Sequence, residues 1–301
     1  MRILHIDTGP YMRGGQIQVM LTLNGLQRSG HECVLLARQG APLWRAARDA
    51  AIPAFPASLS QLWKQSAAFD VIHVHDAHAH TMAALVSRRP FVVSRRVAFP
   101  LKRSLGSNWK YGQARRFIAV SHFVAQALQS AGIPAKRIDV VYDAVEVDQQ
   151  APPWDAGRPA VVLASRDPQK GRALAESAAR LAGVPLVLST DLKHDLLNAS
   201  MFVYITQSEG LGSAALLAMA LGVPVIASRV DGLAEVFEHQ RSGIYVANDA
   251  QEIASAMRIV RENRALAETL MVGGRQRVSK MFTTERLIQD TLKSYERALA
   301  C

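Results

Sequence analysis

The sequence predicts an α/β protein built as two Rossmann-like domains, each around a parallel sheet. Three observations carry this. Apolar runs of strand length alternate with helical stretches along the chain. The chain opens as a βαβ unit: a strand, Arg2 to Asp7; a loop, Thr8 to Gly15; a helix from Gln16, with Ile17, Met20 and Leu21 on one face; and a strand, Glu32 to Ala37. A stretch rich in Pro and Gly and without periodicity, Gln149 to Pro159 (QQAPPWDAGRP), reads as a linker. At 301 residues, each of two domains can bury its own core.

The composition is that of a folded, soluble chain. Cys33 and Cys301 form no framework, so a reducing cytoplasm is the simplest compartment. No secretory signal is expected, because the apolar opening is interrupted by Arg2 and Asp7. The uncharged run Gly210 to Ser228 is broken by Gly222 and Pro224 and is not read as a membrane span. The net charge of +10 is unevenly placed: no acid lies between Asp76 and Asp139. That interval holds Arg88, Arg89, Arg95, Arg96, Lys102, Arg103, Lys110, Arg115, Arg116, Lys136 and Arg137. Such a field attracts anions, so nucleic acid, anionic lipid and phosphorylated glycan are candidate partners beside a plain solvated face.

Taken in order, residues 40–68 predict short helices and one short strand. Val71 to His75 is a buried strand. At its end stand His73, His75, Asp76, His78 and His80, where open α/β sheets bind ligands. His73 and His75 share a strand face, but no second ligand cluster accompanies them. Polar lining, a satisfied structural histidine and zinc are the three readings, and no metal is expected. Phe91 to Ser94 is the next strand, with Arg95 and Arg96 at its end. Residues 97–115 read as a basic, aromatic loop and helix with Phe99, Trp109 and Tyr111; strands follow at Phe117 to Val120 and Ile138 to Val141.

The second half begins with a strand, Ala160 to Ala164, a loop, Ser165 to Gly171 (SRDPQKG), and a helix, Arg172 to Leu181. After a strand, Val184 to Ser189, a short helix leads directly into the strand Met201 to Ile205. The stretch Ser208 to Ser228 (SEGLGSAALLAMALGVPVIAS) then places Glu209 at a strand end and Gly210 and Gly212 before a helix, Ser213 to Leu221. Glycines admit close backbone approach, and free N–H groups with the helix dipole favour an anion. This suits a ligand carrying hydroxyls and phosphate; an ordinary turn with a solvated Glu is the alternative. Ser242 to Val246 is the last strand, 249–280 are helical, and a final helix spans Phe282 to Ala300.

The pattern Glu209, Gly210, Gly212, Ala218-Met219-Ala220, Gly222, Pro224, Val225 resembles the nucleotide-sugar site of glycosyltransferase family 4, on the GT-B fold. The resemblance implies two domains facing a cleft: 1–148 on the acceptor side, 159–281 on the donor side, and a helix, 282–301, crossing back. It implies that Glu209 holds the donor sugar and that Lys170, with Arg166, stabilises the departing diphosphate. Gly14, Gly15, Gly210, Leu211, Gly212, Ser213 and Glu235 would contact the donor. Asp76, His78, His80, Arg95 and Arg96 would line the acceptor side, with Arg96 or Arg95 where many members carry a histidine. Val230 to Glu235 resembles a Gly-Gly-x-x-Glu loop with Asp231 in place of the first Gly. Two departures stand out: Leu217 replaces the acid that would hold the ribose, and a strand–helix crossover of roughly 30 residues is missing before Met201.

The expected function is retaining, metal-independent transfer of a sugar from a nucleotide-sugar donor to an envelope glycan or lipid-linked acceptor of lipopolysaccharide type. No cofactor is implied. The expected location is cytoplasmic and peripheral at the inner membrane surface, through Arg95, Arg96, Lys102 and Arg103 beside Phe99 and Trp109. A catalytically silent relative that binds a glycan or partner enzyme is the alternative. Nucleic-acid binding is the weakest reading, because no reading motif is present.

Overall fold

The structure, a computed structural model, describes residues 1–97, 104–147 and 153–300; Phe99, Lys102, Arg103, the linker residues 149–152 and Cys301 lie outside the described residues. The chain divides into two compact units, Met1–Asp143 with Thr284–Cys301, and Ala144–Thr283.

The first unit holds seven parallel strands: β1 (Arg2–Asp7), β2 (Glu32–Ala37), β3 (Ala54–Pro56), β4 (Val71–Val74), β5 (Phe91–Arg95), β6 (Arg116–Ala119) and β7 (Ile138–Val140). Their order is β3-β2-β1-β4-β5-β6-β7. Connecting them are α1 (Gly14–Arg28), α2 (Pro42–Asp49), α3 (Leu59–Ser66), α4 (Ala77–Val86), α5 (Leu105–Gln113) and α6 (His122–Ser130). Parallel sheets are covered on both faces, so their strands read as unbroken apolar runs. β4 and β6 are accordingly buried at every position.

The second unit runs β8 (Ala160–Leu163), α7 (Arg172–Ala182), β9 (Leu186–Ser189), α8 (Leu192–Leu197), β10 (Met201–Tyr204), α9 (Ser213–Ala220), β11 (Val225–Ser228), β12 (Ile244–Val246), α10 (Ala250–Glu262) and α11 (Arg264–Met281). Its five strands are ordered β12-β11-β10-β8-β9, all parallel. α8 carries the chain straight from β9 to β10, so β9 is an edge strand and its first three residues are only half-buried. Its core gathers Val162, Ala178, Val203, Ile226, Ile253 and Met257.

In both sheets the strand order reverses once, between β1 and β4 in the first and between β8 and β10 in the second. Loops leaving adjacent strands at such a point diverge and open a crevice for polar groups.

The last helix, α12 (Thr284–Leu299), belongs to the first unit. Its grip is polar. Asp139, buried in β7, accepts both guanidinium bonds of Arg116 at 2.6 and 2.7 Å, the Ser294 hydroxyl at 2.8 Å and Arg297 at 2.6 Å. Burial by itself would raise this carboxyl's pKa; those donors reverse the effect and hold it below the ordinary value. Tyr295, fully buried, hydrogen-bonds His73 Nδ1 at 2.7 Å, and Ser94 bonds His73 Nε2 at 2.7 Å. Gly25 of α1 lets α12 lie close, since a Cβ there would meet Ile288 Cγ1 at 2.5 Å.

His5 and His75 complete this buried group, bonded ring to ring at 3.0 Å. Burial lowers the His5 pKa to about 3. It drives His73 and His75 well below their usual value, and neighbouring histidines and Arg96 add to the effect. His80, also core, is lowered to about 3 by burial and then by the Lys110 charge.

Asp139→Ala would strand Arg116 as a buried unpaired cation and should cost about 3–5 kcal/mol in urea unfolding. Glu268→Ala, which breaks the exposed Arg264–Glu268 pair, should cost under about 0.5 kcal/mol. The histidines predict a pH effect of definite sign. Their folded pKa values lie below the unfolded value of about 6.5, so their contribution is complete above that pH and shrinks as pH falls toward the folded values. Unfolding free energy measured from pH 7 to 5 should decline with an uptake of up to about four protons.

Candidate active site

In the second unit the chemistry collects where the loops after β8 and β10 part. The loop after β8 is held by Asp167, whose side chain accepts from Gln169 N at 3.0 Å. It ends at Gly171, with φ of 58°, where a Cβ would stand 2.8 Å from the Ile205 carbonyl. Glycine is therefore required to start α7 against the end of β10. This packing delivers Lys170 Nζ to Glu209 Oε2 at 2.7 Å. The Tyr204 hydroxyl donates to the same oxygen at 2.5 Å, and Gly210 N donates to Oε1 at 3.2 Å. Burial, and then the Glu209 charge, raise the Tyr204 pKa far above the ordinary value, so it stays a donor. Glu209 and Lys170 remain partly exposed, at 19% and 29%, within reach of a ligand.

The Glu209 loop is tied to the turn Asp231–Glu235. Asp231 accepts from Ser208 Oγ and, at 3.3 Å, from Glu209 N, while Gly232 N donates to the Glu209 carbonyl at 3.1 Å. Asp231 has φ of 46°. That left-handed conformation favours glycine and is tolerated by Asp, which accounts for an acid at a position where the resembled loop has glycine. Gly212, at φ of 108°, lies against Leu233 and begins α9, whose first-turn N–H groups at Ser213 and Ala214 have no partner among the described residues.

The remaining expected residues take different places. Leu211 is buried and offers only its backbone. Glu235 is half-buried, and its carbonyl accepts from Arg277. Arg166 is exposed on the loop that carries Lys170. Leu217 sits half-buried on α9 and supplies no acceptor for a ribose hydroxyl. Tyr204 was not among the expected residues; its only signal is a hydroxyl in the apolar run MFVYI just before the acid.

In the first unit the ends of β1, β4 and β5 meet α1. Asp7, buried and not anticipated, accepts from Gly9 N at 2.8 Å and from Gln16 Nε2 at 3.1 Å. Burial raises its pKa, and the nearby Asp76 charge adds to this. Asp76 caps α4 through His78 N and Ala79 N at 2.8 and 2.9 Å and also receives Thr8 N and Oγ1. Its carboxylate thus shapes the loop. Arg95 and Arg96 separate to opposite faces, as consecutive strand-end residues do. Arg95 acts electrostatically on His80 and Tyr111, whereas Arg96 pairs with Asp143 and lies 3.5 Å from where a Gly15 Cβ would stand. Gly14 and Gly15 are the first residues of α1. His78 is exposed.

His80 is a correction. It is 1% exposed, sits edge-on to Phe91, Tyr111 and Phe117, and bonds the Lys110 carbonyl at 3.2 Å. It is a core residue and lines no surface, because on α4 its position turns inward toward the sheet. Among the described residues, His5, His73 and His75 bring potential metal-ligand atoms within 4.8 Å of one another. Both His73 nitrogens already engage Tyr295 and Ser94, which leaves two histidines, fewer than a zinc site needs.

The family model described as Glycosyltransferase Family 4 matches residues 12–149, and that of Glycosyl transferases group 1 matches residues 124–263. The D-inositol 3-phosphate glycosyltransferase of Nocardioides sp. is 34% identical over 118 residues, covering 39% of this chain and 26% of that protein. The lipopolysaccharide core biosynthesis glycosyltransferase LpsD of Rhizobium meliloti is 30% identical over 100 residues, covering 33% of this chain and 29% of that protein. The chain thus spans well under half the length of these curated relatives. Anabaena HepE, crystallised with UDP and glucose, superposes with a TM-score of 0.85 at 16% identity, over 98% of this chain and 99% of that one. Sequence matches reaching from residue 12 to residue 263, on this fold, place the chain in the GT-B glycosyltransferases of family 4 and group 1.

Proposed function

We propose that the protein transfers a sugar from a nucleotide-sugar donor to a cell-envelope glycan or lipid-linked acceptor, with retention of anomeric configuration and without a metal. The observation that carries this is the Lys170–Glu209–Tyr204 cluster at the sheet's reversal point, beside the open N-terminus of α9. The donor diphosphate would draw Lys170 from Glu209 and take the charge that grows as the bond to the sugar breaks. Glu209, still held by Tyr204, would then accept from sugar hydroxyls. The free N–H groups of α9 suit the same anion. HepE, whose crystals contain UDP and glucose, makes UDP-glucose the first donor to try. The relatives named for lipopolysaccharide core and for inositol phosphate support an anionic, envelope-type acceptor. The Gly14–Gly15 start of α1 would supply backbone groups for it in the first unit, beside the loop that Asp76 holds and the Arg96–Asp143 pair.

No described helix is long and apolar enough to cross a membrane. A cytoplasmic protein in peripheral contact with anionic membrane is part of the proposal. Leu217 and the five-stranded second sheet favour one other reading, a silent relative that binds a glycan or partner enzyme.

Thermal shift with UDP-, GDP- and ADP-sugars separates the two. A donor at a hundred times its Kd stabilises by about 2.7 kcal/mol. Lys170→Ala should abolish that shift with little change in the unliganded melt; no shift from any of these ligands on the wild type would leave the silent reading. Tyr204→Phe keeps the ring on Phe202 but frees Glu209, and should lower kcat/KM about 10- to 100-fold. Leu217→Glu should tighten nucleotide binding by about 1 kcal/mol in titration calorimetry.

A further inference from the structure

The acid-free interval acquires a location in the fold. β5, β6 and β7 are adjacent and parallel, so the residues that lead into them share one edge of the sheet. Those residues are Arg88 and Arg89 before β5, Arg115 before β6, and Lys136 and Arg137 before β7. They line one open hollow of about 680 Å³ to which no Asp or Glu contributes. This edge lies at the opposite end of the strands from Asp7, Asp76 and Arg96.

The hollow is built. Arg89 donates to the Ala67 carbonyl at 3.2 and 3.0 Å. Arg137 donates to the carbonyls of Tyr111 at 3.0 Å and Gly112 at 3.2 Å, and to that of Ala114. Burial and then the Arg115 charge lower the Arg137 pKa, a repulsion that a bound anion would relieve. Arg88, Arg89, Arg115 and Lys136 are exposed. Beside them is an apolar component. The Arg88 guanidinium lies 5.0 Å over the ring of Trp63, which is 54% exposed. Leu85, near the end of α4, is 58% exposed.

We propose that this edge is a docking surface for the phosphate headgroups of an anionic lipid membrane. The cations spread along three strand starts about 4.8 Å apart, a span that fits an array of headgroups better than one phosphate. Trp63 and Leu85 match the zone where headgroup and acyl chain meet. A nucleic acid offers Leu85 nothing, and one face of Trp63 is already covered by Arg88. The surface lies at the other end of the strands from the groups assigned to the acceptor, so it is an attachment separate from the acceptor side. It differs from the Arg95, Arg96, Lys102 and Arg103 cluster expected from sequence, in which Arg96 is committed to Asp143. The proposal rests on the functional reading only for a membrane-borne acceptor; vesicle binding itself requires no transfer.

The test is flotation of the full chain with phosphatidylcholine vesicles, with and without phosphatidylglycerol. The wild type should float only with the anionic vesicles and be released by salt that shortens the Debye length. The triple variant Arg88→Ser, Arg115→Ser, Lys136→Ser spares the two arginines that hold carbonyls. It should lose on the order of 100-fold in partition, about fivefold per cation. Trp63→Ser should weaken binding while leaving its salt dependence. Both variants should keep the wild-type melt and its shift with UDP-glucose. Equal binding to neutral vesicles, no binding to anionic ones, an unaffected triple variant, or tighter capture by duplex DNA at the same edge would each overturn the proposal. A wild type that floats yet gives no shift with any nucleotide sugar would sink the transferase reading and leave the docking surface standing.

Discussion

The first unit depends on one buried carboxylate. Its chain leaves at Asp143 and returns at Thr284, so the unit is whole only while α12 is held in place. Asp139 does this by accepting from Arg116 within the sheet and from Ser294 and Arg297 on α12. A buried ion pair contributes little net stability over an apolar contact, but leaving one partner alone is costly. It therefore selects one seating of the helix. Gly25 allows the close approach, and Tyr295 reaches His73 from the same helix. The His5–His73–His75 group is a further part of this arrangement, held neutral by burial.

The second unit is organised by a different constraint. Its sheet reverses between β8 and β10, and the two diverging loops must be fastened before they can present a ligand site. Gly171 and Gly212 let backbones close onto Ile205 and Leu233, and Asp231 ties the Glu209 loop from the other side. The outcome is a carboxylate whose two oxygens are already engaged, one by Lys170 and Tyr204 and one by Gly210. In the proposed transfer, Tyr204 and Gly210 keep the carboxylate in place while Lys170 passes to the diphosphate. The same unit has only α8 between β9 and β10 and carries Leu217 in place of an acid, so under the proposed function recognition of the nucleoside end would rest on other groups.

Charge is partitioned within the first unit by strand direction. The carboxy ends of β1 and β4 carry Asp7 and Asp76 near Arg96, a mixed polar set. The starts of β5, β6 and β7 carry cations alone. A parallel sheet makes such segregation simple, because every strand start falls on one edge and every strand end on the other.

The sequence by itself determined the α/β class, the βαβ opening and the glycine-flanked Glu209 with Lys170 upstream. These are local: periodicity, turn residues and motif spacing are properties of neighbours in the chain. It also located the acid-free interval, since charge is read directly. Tertiary structure alone decided what long-range packing controls. Tyr204 looked like one more strand residue until the loop folded Glu209 back onto it. His80 looked like polar lining, yet its helix position faces Phe91, Tyr111 and Phe117. Arg95 and Arg96 are adjacent in sequence but part to opposite faces of the sheet. Asp7, Asp139 and Asp231 take their roles from partners far away in sequence, such as Gln16, Ser294 and Ser208. Those pairings depend on strand order and helix seating, which no local pattern encodes.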